Sequence, residues 1–413
     1  MAHSIRLPYG TGRLSFDLPS PPVVLAPSEP EKTANEQRFR QALDDFFGAH
    51  PPDLKQPLVV VGDKTRLCGY PRFLPVLLET LTDWGAAPEK IRLLIAYGTH
   101  AAQGEAESRQ AYGETYARWA WEHHRCDATG LFRELGRTER GTPVRLRADL
   151  VEAGFVATFG AISHHYFAGY GGGRKLIFPG LGEKQAIYAN HGLFLDRAGR
   201  CLAAGCQPGR LEGNPLAEDL EDYAAFRPAD LAVHGLLDSH GQVCDLLVGR
   251  GREHFLEACR RHARCFETAA ERVDCVLASC GGHPKDINFI QSHKALHHAA
   301  DFVRDGGRLI LLARCPDGVG SQTFLPWFGE GGRDAAFDRL AADYVGNGGT
   351  ALAMMAKSAR INIALVTELD QAVTETIGCE RITADQARDM VSGCGGSLAV
   401  IPNASMLVRA TGI

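Results

Sequence analysis

The run FVATFG at residues 155–160 predicts a buried strand, and it leads into the loop SHHYFAGYGGGRK at residues 163–175. Imidazoles handle protons and metals near neutral pH, and glycines let a backbone come close to a bulky ligand. A lysine beside such a loop can bind phosphate or anchor a group covalently. The strand and its loop therefore predict an active site built around a bound cofactor.

Two other apolar runs also end in polar loops. LVVV at 58–61 leads into GDKTR at 62–66, and IRLLIA at 91–96 is followed by GTH at 98–100. In doubly wound α/β sheets, ligands bind outside the carboxyl ends of strands. We therefore expect one cleft to hold the side chains of Asp63, Arg66, His100, His165 and Lys175.

Strand patterns alternate with helical ones along the whole chain, which predicts an α/β fold. Residues 71–81 carry an apolar stripe of helical spacing, and 231–237 is a fourth strand. A second α/β unit begins near residue 274, with a helix over 288–303. Its predicted strands cover 274–278, 308–312, 361–366 and 397–401. We expect an N-terminal α/β domain over 1–270, a C-terminal α/β domain over 271–400, and a tail at 401–413 that returns to the first domain.

The bulk composition is that of a soluble globular protein of 413 residues, with 45% hydrophobic and 23% charged residues. A net charge of -5 offers no basic excess for nucleic acid. The twelve cysteines form no CxxC pair, which favours reduced thiols in a cytoplasmic protein. The first residues show no apolar leader, and no run reaches ~18 apolar residues, so we expect no membrane span.

The triple glycine matches neither of the two common phosphate-binding motifs. Lys175 is followed by Leu176, so a P-loop hydroxyl for magnesium is missing, and the dinucleotide pattern G-x-G-x-x-G is also absent. A tight turn for close packing is the structural alternative. The two histidines and the lysine beside the glycines favour a functional loop.

The histidines of these loops suggest different roles. His100 and His165 come from separate strand ends and suit a paired acid and base, although a lone histidine is more often structural. His164 is better explained as a supporting residue. His191 follows in a helical region, and a single histidine cannot form a complete protein-only metal site. It would serve if a cofactor supplied the other donors.

Charged residues near the strand and helix ends suggest anion binding. Arg66 suits a bidentate contact with a carboxylate, with a surface ion pair as the alternative. Gln291 and Lys294 lie three apart near a helix start, hence on one face, where an anion is favoured. His293, His297 and His298 on the same helix lack the HExxH pattern, and we interpret them as a polar helix face.

Taken together, these motifs resemble the nickel-pincer lactate racemase family. The resemblance covers about residues 5 to 405 and implies two Rossmann-like α/β domains with the active site in the cleft between them. The motifs occur in the family's order. They are DKTR at 63–66, GTH at 98–100, SHH at 163–165 with GRK at 173–175, NHG at 190–192 and QSHK at 291–294.

The resemblance implies a cofactor, the nickel-pincer nucleotide. It is a nickel-carrying pyridinium-3-thioamide-5-thiocarboxylic acid mononucleotide, tethered to a lysine through a thioamide. Lys175 matches the tether and His191 the fourth nickel ligand, since the pincer supplies three donors of a tetragonal site. Gly171, Gly172 and Gly173 match the loop around the cofactor.

The resemblance also implies the catalytic groups and the reaction. His100 and His165 match the catalytic histidines, and Arg66 matches the arginine that binds the substrate carboxylate, with Asp63 beside it. Gln291 and Lys294 match residues of the second domain that contact substrate or cofactor. The implied activity is inversion of a 2-hydroxy acid such as lactate, by hydride transfer through a 2-keto acid. The implied partners are the substrate and the enzymes that make the cofactor.

Three other interpretations remain open. The same chemistry could act on a larger or dicarboxylic hydroxy acid, such as malate, 2-hydroxyglutarate or a sugar acid. Lys175 could instead form a Schiff base with pyridoxal phosphate. The chain could also be a non-catalytic protein that binds the nickel cofactor, although a carrier needs no pair of proton-transfer groups.

Overall fold

The computed structural model describes residues 3–18, 21–329 and 331–410. The last three residues of the predicted tail at 401–413 lie outside this part. Contacts divide the chain into two compact units. We call Glu29–Leu193 with Arg210–Cys265 the histidine unit, and Met1–Ser28 with Phe194–Gly209 and Phe266–Ile413 the terminal unit. The predicted boundaries at 270 and 400 stay a prediction about independently folding domains.

Strands and helices alternate over most of the described chain. The strands are β1 (His3–Tyr9), β2 (Gly12–Leu18), β3 (Val23–Val24), β4 (Pro57–Gly62), β5 (Arg92–Ala96), β6 (Ala120–His123), β7 (Phe132–Arg137), β8 (Pro143–Arg147), β9 (Phe155–Ala161), β10 (Ser163–His165), β11 (Gly169–Gly171), β12 (Leu195–Asp196), β13 (Cys201–Leu202), β14 (Leu231–Leu237), β15 (Val243–Gly249), β16 (Glu267–Thr268), β17 (Val273–Ser279), β18 (Val303–Leu312), β19 (Asn362–Val366), β20 (Glu380–Ile382), β21 (Leu398–Ile401) and β22 (Val408–Arg409).

Thirteen α-helices lie between the strands in the described residues, and together with them they confirm the mixed α/β class. They are α1 (Glu36–Ala49), α2 (Tyr70–Asp83), α3 (Glu105–Tyr112), α4 (Glu114–Arg118), α5 (Ala148–Glu152), α6 (Lys184–His191), α7 (Pro215–Ala225), α8 (Gly251–Phe266), α9 (Phe289–Ala300), α10 (Gly332–Ala342), α11 (Gly348–Arg360), α12 (Gln371–Thr376) and α13 (Ala384–Ser392).

The histidine unit is built on a six-stranded sheet of order β15-β14-β9-β4-β5-β6. Its strands run parallel, except that β15 returns antiparallel beside β14. The central strand β4 is buried along its whole length, which explains its continuous run of valines. The predicted apolar stripe of α2 is confirmed, because Phe73, Leu74, Leu77, Leu78 and Leu81 are all buried in the same core.

The terminal unit contains a second six-stranded sheet, of order β20-β19-β18-β17-β21-β3. All of its pairings are parallel. The four strands predicted for this part of the sequence correspond to β17, β18, β19 and β21. The first residues of the chain also contribute to this part of the structure. β3 is the edge strand of the sheet and pairs with β21, and side chains of the β1–β2 hairpin pack in the core beside the sheet.

One boundary differs from the sequence prediction. The helix expected over 288–303 ends at Ala300, and β18 already begins at Val303. The run Asp305-Gly306-Gly307, which follows the predicted helix in the sequence, lies inside this strand. Gly307 packs so closely that a Cβ there would lie 2.7 Å from a methyl of Val303. The glycines therefore permit a tight irregularity at the start of a strand.

Among the described residues, no helix is both long and apolar enough to cross a membrane. The predicted polar face of α9 is wrong in one respect, because His293, His297 and His298 are all buried. Their neighbours on the helix, Gln291 and Lys294, are exposed. The side of α9 that carries the histidines is therefore buried. The side that carries Gln291 and Lys294, the predicted anion-binding pair, is exposed.

Acid should destabilise the fold through buried, neutral histidines. Burial lowers the pKa of His234 and His293 to about 3 and that of His124 to about 4, from the usual 6.5. Below pH 6.5 these histidines bind protons in the unfolded chain but stay neutral in the folded chain. The free energy of unfolding should then fall by up to about 1.4 kcal/mol per pH unit for each histidine.

Urea unfolding between pH 7 and pH 5 measures this slope. His124→Gln is the matched variant, because a glutamine can still donate to the Gly182 carbonyl that Nε2 of His124 contacts at 3.1 Å. In this variant the free energy of unfolding should change less steeply with pH, by up to about 1.4 kcal/mol per pH unit, because one titrating histidine has been removed. A free energy of unfolding that stays constant over this range would contradict the prediction.

Candidate active site

Three neighbouring strands of the histidine unit end at one edge of the sheet. β4 lies between β5 and β9, and all three are parallel. Asp63 follows the last residue of β4, His100 lies in the loop after β5, and His165 ends β10, just beyond β9. The sheet therefore brings together the strand ends from which the sequence predicts a shared cleft.

Asp63 is the direct partner of His100. Its Oδ2 lies 2.8 Å from Nδ1 of His100, while its Oδ1 accepts bonds from the backbone N–H of Thr65 at 2.7 Å and from the Thr65 hydroxyl at 2.6 Å. Asp63 is only 4% exposed. Both of its carboxylate oxygens are occupied by these bonds within the protein. Its predicted contact with a substrate stays a prediction, and the observed geometry makes it a residue that positions His100.

The charge of Asp63 fixes the tautomer of His100. Burial by itself would raise the pKa of this carboxyl, but the bonds from His100 and Thr65 outweigh it and hold the pKa below its usual value. An ionised carboxylate can only accept hydrogen bonds, so Nδ1 of His100 must carry a proton. A neutral His100 therefore presents the lone pair of Nε2, which is the state of a general base.

His165 is held in the opposite tautomer. Its Nδ1 accepts bonds from the backbone N–H groups of Phe167 at 3.3 Å and Ala168 at 3.0 Å. These bonds form because β10 turns tightly into β11, with His165 paired to Gly169. The proton of a neutral His165 then resides on Nε2. His100 thus offers an acceptor and His165 a donor.

The glycines of the loop are needed for close packing. Gly172 has φ +79° and a Cβ there would lie 2.3 Å from the Ala161 carbonyl oxygen, while Gly173 has φ +53° and would meet Phe255 at 2.6 Å. Gly171 lies against Ser163. The structural alternative for the triple glycine therefore holds, and contact of these residues with a cofactor remains a prediction.

Lys175 lies in the 3-10 turn Gly173–Leu176 that follows the glycines. Burial disfavours its ammonium, and the charges of Arg66 and Arg174 add to this, so its pKa lies well below the usual value. Burial, together with the charge of Lys175, also lowers the pKa of His191 to about 3. Burial therefore disfavours the charged forms of both Lys175 and His191, and their predicted roles as tether and nickel ligand stay predictions.

A buried network holds the end of α6, where His191 is the last residue. The carboxylate of Asp219 on α7 accepts from the amide of Asn190 at 2.8 Å and from the hydroxyl of Thr142 at 2.7 Å, and Thr138 donates to it as well. Sequence reasoning missed Asp219. The sequence feature that could have identified Asp219 is its position three residues after Leu216, which places both side chains on the buried side of α7.

Replacing Asp219 by alanine should destabilise the protein by about 3 kcal/mol, because three buried donors would lose their acceptor. Urea unfolding measures the change. Glu253→Ala, on an exposed side chain of α8, is the control and should lie within about 0.5 kcal/mol of the parent. Equal stability of the two variants would show that the network does not hold α6.

Arg66 is exposed, and its guanidinium donates to the Thr65 carbonyl at 3.2 Å. Within residues 3–18, 21–329 and 331–410 it forms no ion pair, so the surface-ion-pair alternative is not what the structure shows. In the terminal unit, Nζ of Lys294 donates to Oε1 of Gln291 at 2.9 Å, which confirms that the two share one helix face. Their contact with a substrate stays a prediction.

Comparison with known proteins agrees with these features. The sequence profile of the lactate racemase N-terminal domain matches residues 9–201, and that of the lactate racemase C-terminal domain matches residues 268–342. A lactate racemase from Thermoanaerobacterium thermosaccharolyticum is 30% identical over 79% of this chain and 78% of its own. One from Lactiplantibacillus plantarum is 27% identical over 71% of this chain and 69% of its own.

Solved structures show the same fold. The lactate racemase apoprotein from Thermoanaerobacterium thermosaccharolyticum superposes with a TM-score of 0.89 at 24% identity, covering 99% of this chain and 100% of its own. A protein from Thermotoga maritima reaches 0.68 at 14% identity, over 92% of this chain and 99% of its own. The chain is therefore an isomerase by family. It belongs to the lactate racemase family.

Proposed function

We propose that this protein is a cytoplasmic racemase or epimerase that inverts the Cα centre of a 2-hydroxy acid, with lactate as the first candidate. The observation that carries the proposal is the pair of histidines that follow β5 and β9, the two parallel strands on either side of β4. Asp63 sets His100 as an acceptor at Nε2, and backbone N–H groups set His165 as a donor. The lactate racemases among the relatives support the choice of substrate.

The cofactor we propose is the nickel-pincer nucleotide, and the residues present fit it. Lys175 has the depressed pKa needed of an amine that forms a thioamide, and His191 is neutral. No cluster of three or more histidine, cysteine or acidic side chains in the described residues could hold a metal. Nickel at His191 would need donors from the cofactor itself. When bound, the cofactor would supply reversible acceptance of a hydride.

The residues of the histidine unit would divide the remaining work. Arg66 would bind the substrate carboxylate in a bidentate manner. Nε2 of His100 would take the proton of a hydroxyl that faces it, as the Cα hydride leaves. The planar 2-keto acid would stay bound through Arg66, and its oxygen would accept a bond from Nε2–H of His165 after turning to that side. Return of the hydride to the opposite face would invert the centre. The product oxygen would then take a proton from water, and His100 would release to water the proton that it removed, so that both rings end in their starting states.

The opposite tautomers of the two histidines can be observed directly. In protein labelled with ¹⁵N at histidine, above pH 7.5, we expect the proton of His100 on Nδ1 and that of His165 on Nε2. Long-range ¹H–¹⁵N correlation spectra distinguish the two forms, and His100→Gln and His165→Gln assign them. Asp63→Asn should weaken the preference at His100 only. The same tautomer at both rings would contradict the proposed division of roles.

The activity itself is tested with protein produced together with the cofactor's biosynthetic enzymes, which are the proposed partners. Chiral chromatography should show that D-lactate and L-lactate each convert to the racemate. A panel with malate, 2-hydroxyglutarate and sugar acids tests the alternative substrates. If the loaded protein inverts none of them, the racemase proposal fails and a cofactor-binding role gains support. A chromophore bleached by borohydride, without nickel, would instead indicate pyridoxal phosphate on Lys175.

A further inference from the structure

A cavity of about 470 Å³ lies within the histidine unit. It is bounded by the turn that begins at Gly173, by the end of α7, by β14 and by the start of α8. Among the described residues its lining does not include Lys175, His100, His165 or His191. Most of its wall is apolar, which is typical of sites for small organic molecules. The lining includes Arg174, Glu221, Ala225, His234 and Phe255.

Arg174 brings a buried positive charge to this cavity. The residue is 9% exposed, its guanidinium carbon lies 4.6 Å from the centroid of the Phe255 ring, and its Nε lies 3.3 Å from a carboxylate oxygen of Glu221. Neither Nε nor Nη1 has a hydrogen-bond partner among the described residues. A buried guanidinium with unused donors favours an anionic acceptor.

His234 adds a second polar group with unused bonding capacity. It is 1% exposed and lies against the ring of His254 with centroids 4.8 Å apart. Within the described part of the chain, neither ring nitrogen has a hydrogen-bond partner. Burial and the neighbouring His254 lower its pKa to about 3, so the ring is neutral and has one donor and one acceptor. A neutral ring in the wall adds no second charge beside Arg174.

We infer that this cavity binds a small monocarboxylic acid with an apolar body. Its carboxylate would accept from the Arg174 guanidinium, and its apolar part would pack on Phe255 and the alanine side chains. A monoanion is favoured over a phosphate, since Glu221 and Asp222 also line the cavity and would repel a dianion. The inference concerns a second site and does not depend on the proposed reaction.

Calorimetric titration of the cofactor-free protein with 3-phenylpropanoate tests this site. We expect one molecule bound per chain, and at least tenfold weaker binding of the neutral 3-phenylpropanamide. Ala225→Trp, in the cavity wall at the end of α7, should abolish binding. Ala372→Trp on α12, which is also exposed and lies in the terminal unit, is the matched control and should bind as the parent does.

Two further variants separate this cavity from the candidate active site. Arg66→Ala should leave the binding of 3-phenylpropanoate unchanged, while Arg174→Gln should weaken it at least tenfold if the variant folds. No binding to the parent protein, or binding that Arg66→Ala removes and Ala225→Trp does not, would overturn the inference. Equal binding of the acid and the amide would also overturn it, because the cavity would then recognise only the apolar body.

Discussion

Lys175→Met is expected to leave a folded protein that carries no cofactor and has no racemase activity. Methionine keeps the apolar length of the side chain, and the amine it replaces is already disfavoured as an ammonium by burial and by Arg66 and Arg174. The hydride chemistry belongs to the cofactor. Its loss should lower turnover by on the order of 10⁶-fold, to background. Intact mass spectrometry with peptide mapping measures attachment, and chiral chromatography measures turnover.

The control for this variant is Lys184→Met at the start of α6. Lys184 is also partly exposed, and its Nζ lies 5.7 Å from the centroid of the Tyr188 ring. It should retain the adduct and the activity. An adduct found on Lys175→Met protein would place the tether at another residue. An unmodified Lys175 in parent protein, under conditions that load a known lactate racemase, would leave the nickel-pincer proposal without support.

His100→Ala and His165→Ala are each expected to abolish racemisation while cofactor attachment at Lys175 continues. General acid–base catalysis by a positioned side chain contributes about 10²–10⁴-fold. We therefore expect kcat to fall by about that factor in each variant. The adduct at Lys175 should persist, because neither histidine is proposed to hold the cofactor. Steady-state rates with both enantiomers, and intact mass of the same samples, measure the two outcomes.

Two comparisons sharpen this experiment. His240→Ala, at an exposed turn of the histidine unit, controls for the loss of an imidazole and should behave as the parent does. Asp63→Asn should lower kcat less than His100→Ala does, because it disturbs the tautomer of His100 and leaves the ring in place. Retained turnover in both alanine variants would disprove the scheme with two proton-transfer groups.

Local sequence patterns predicted the strands well. The apolar runs at 58–61, 155–160 and 231–237 correspond to β4, β9 and β14, since a strand buried on both faces must be apolar along its length. The prediction of a polar face on α9 was wrong for its histidines. The three histidines of α9 look polar in the sequence, yet all are buried, because the partners that cover them come from distant parts of the chain. For example, Nδ1 of His298 contacts the Ala404 carbonyl.

The sequence alone determined the class of fold, the family and the order of the candidate site residues, because these are written in local runs and in motifs of fixed spacing. The hydrogen bond between Asp63 and His100, the opposite tautomer of His165 and the support of α6 by Asp219 required the tertiary structure. Each depends on which distant groups lie within about 3 Å of one another, and hydrogen bonding at that range is decided by packing. Burial likewise lowers the pKa values of Lys175 and His191, since desolvation acts only once the chain has folded around them.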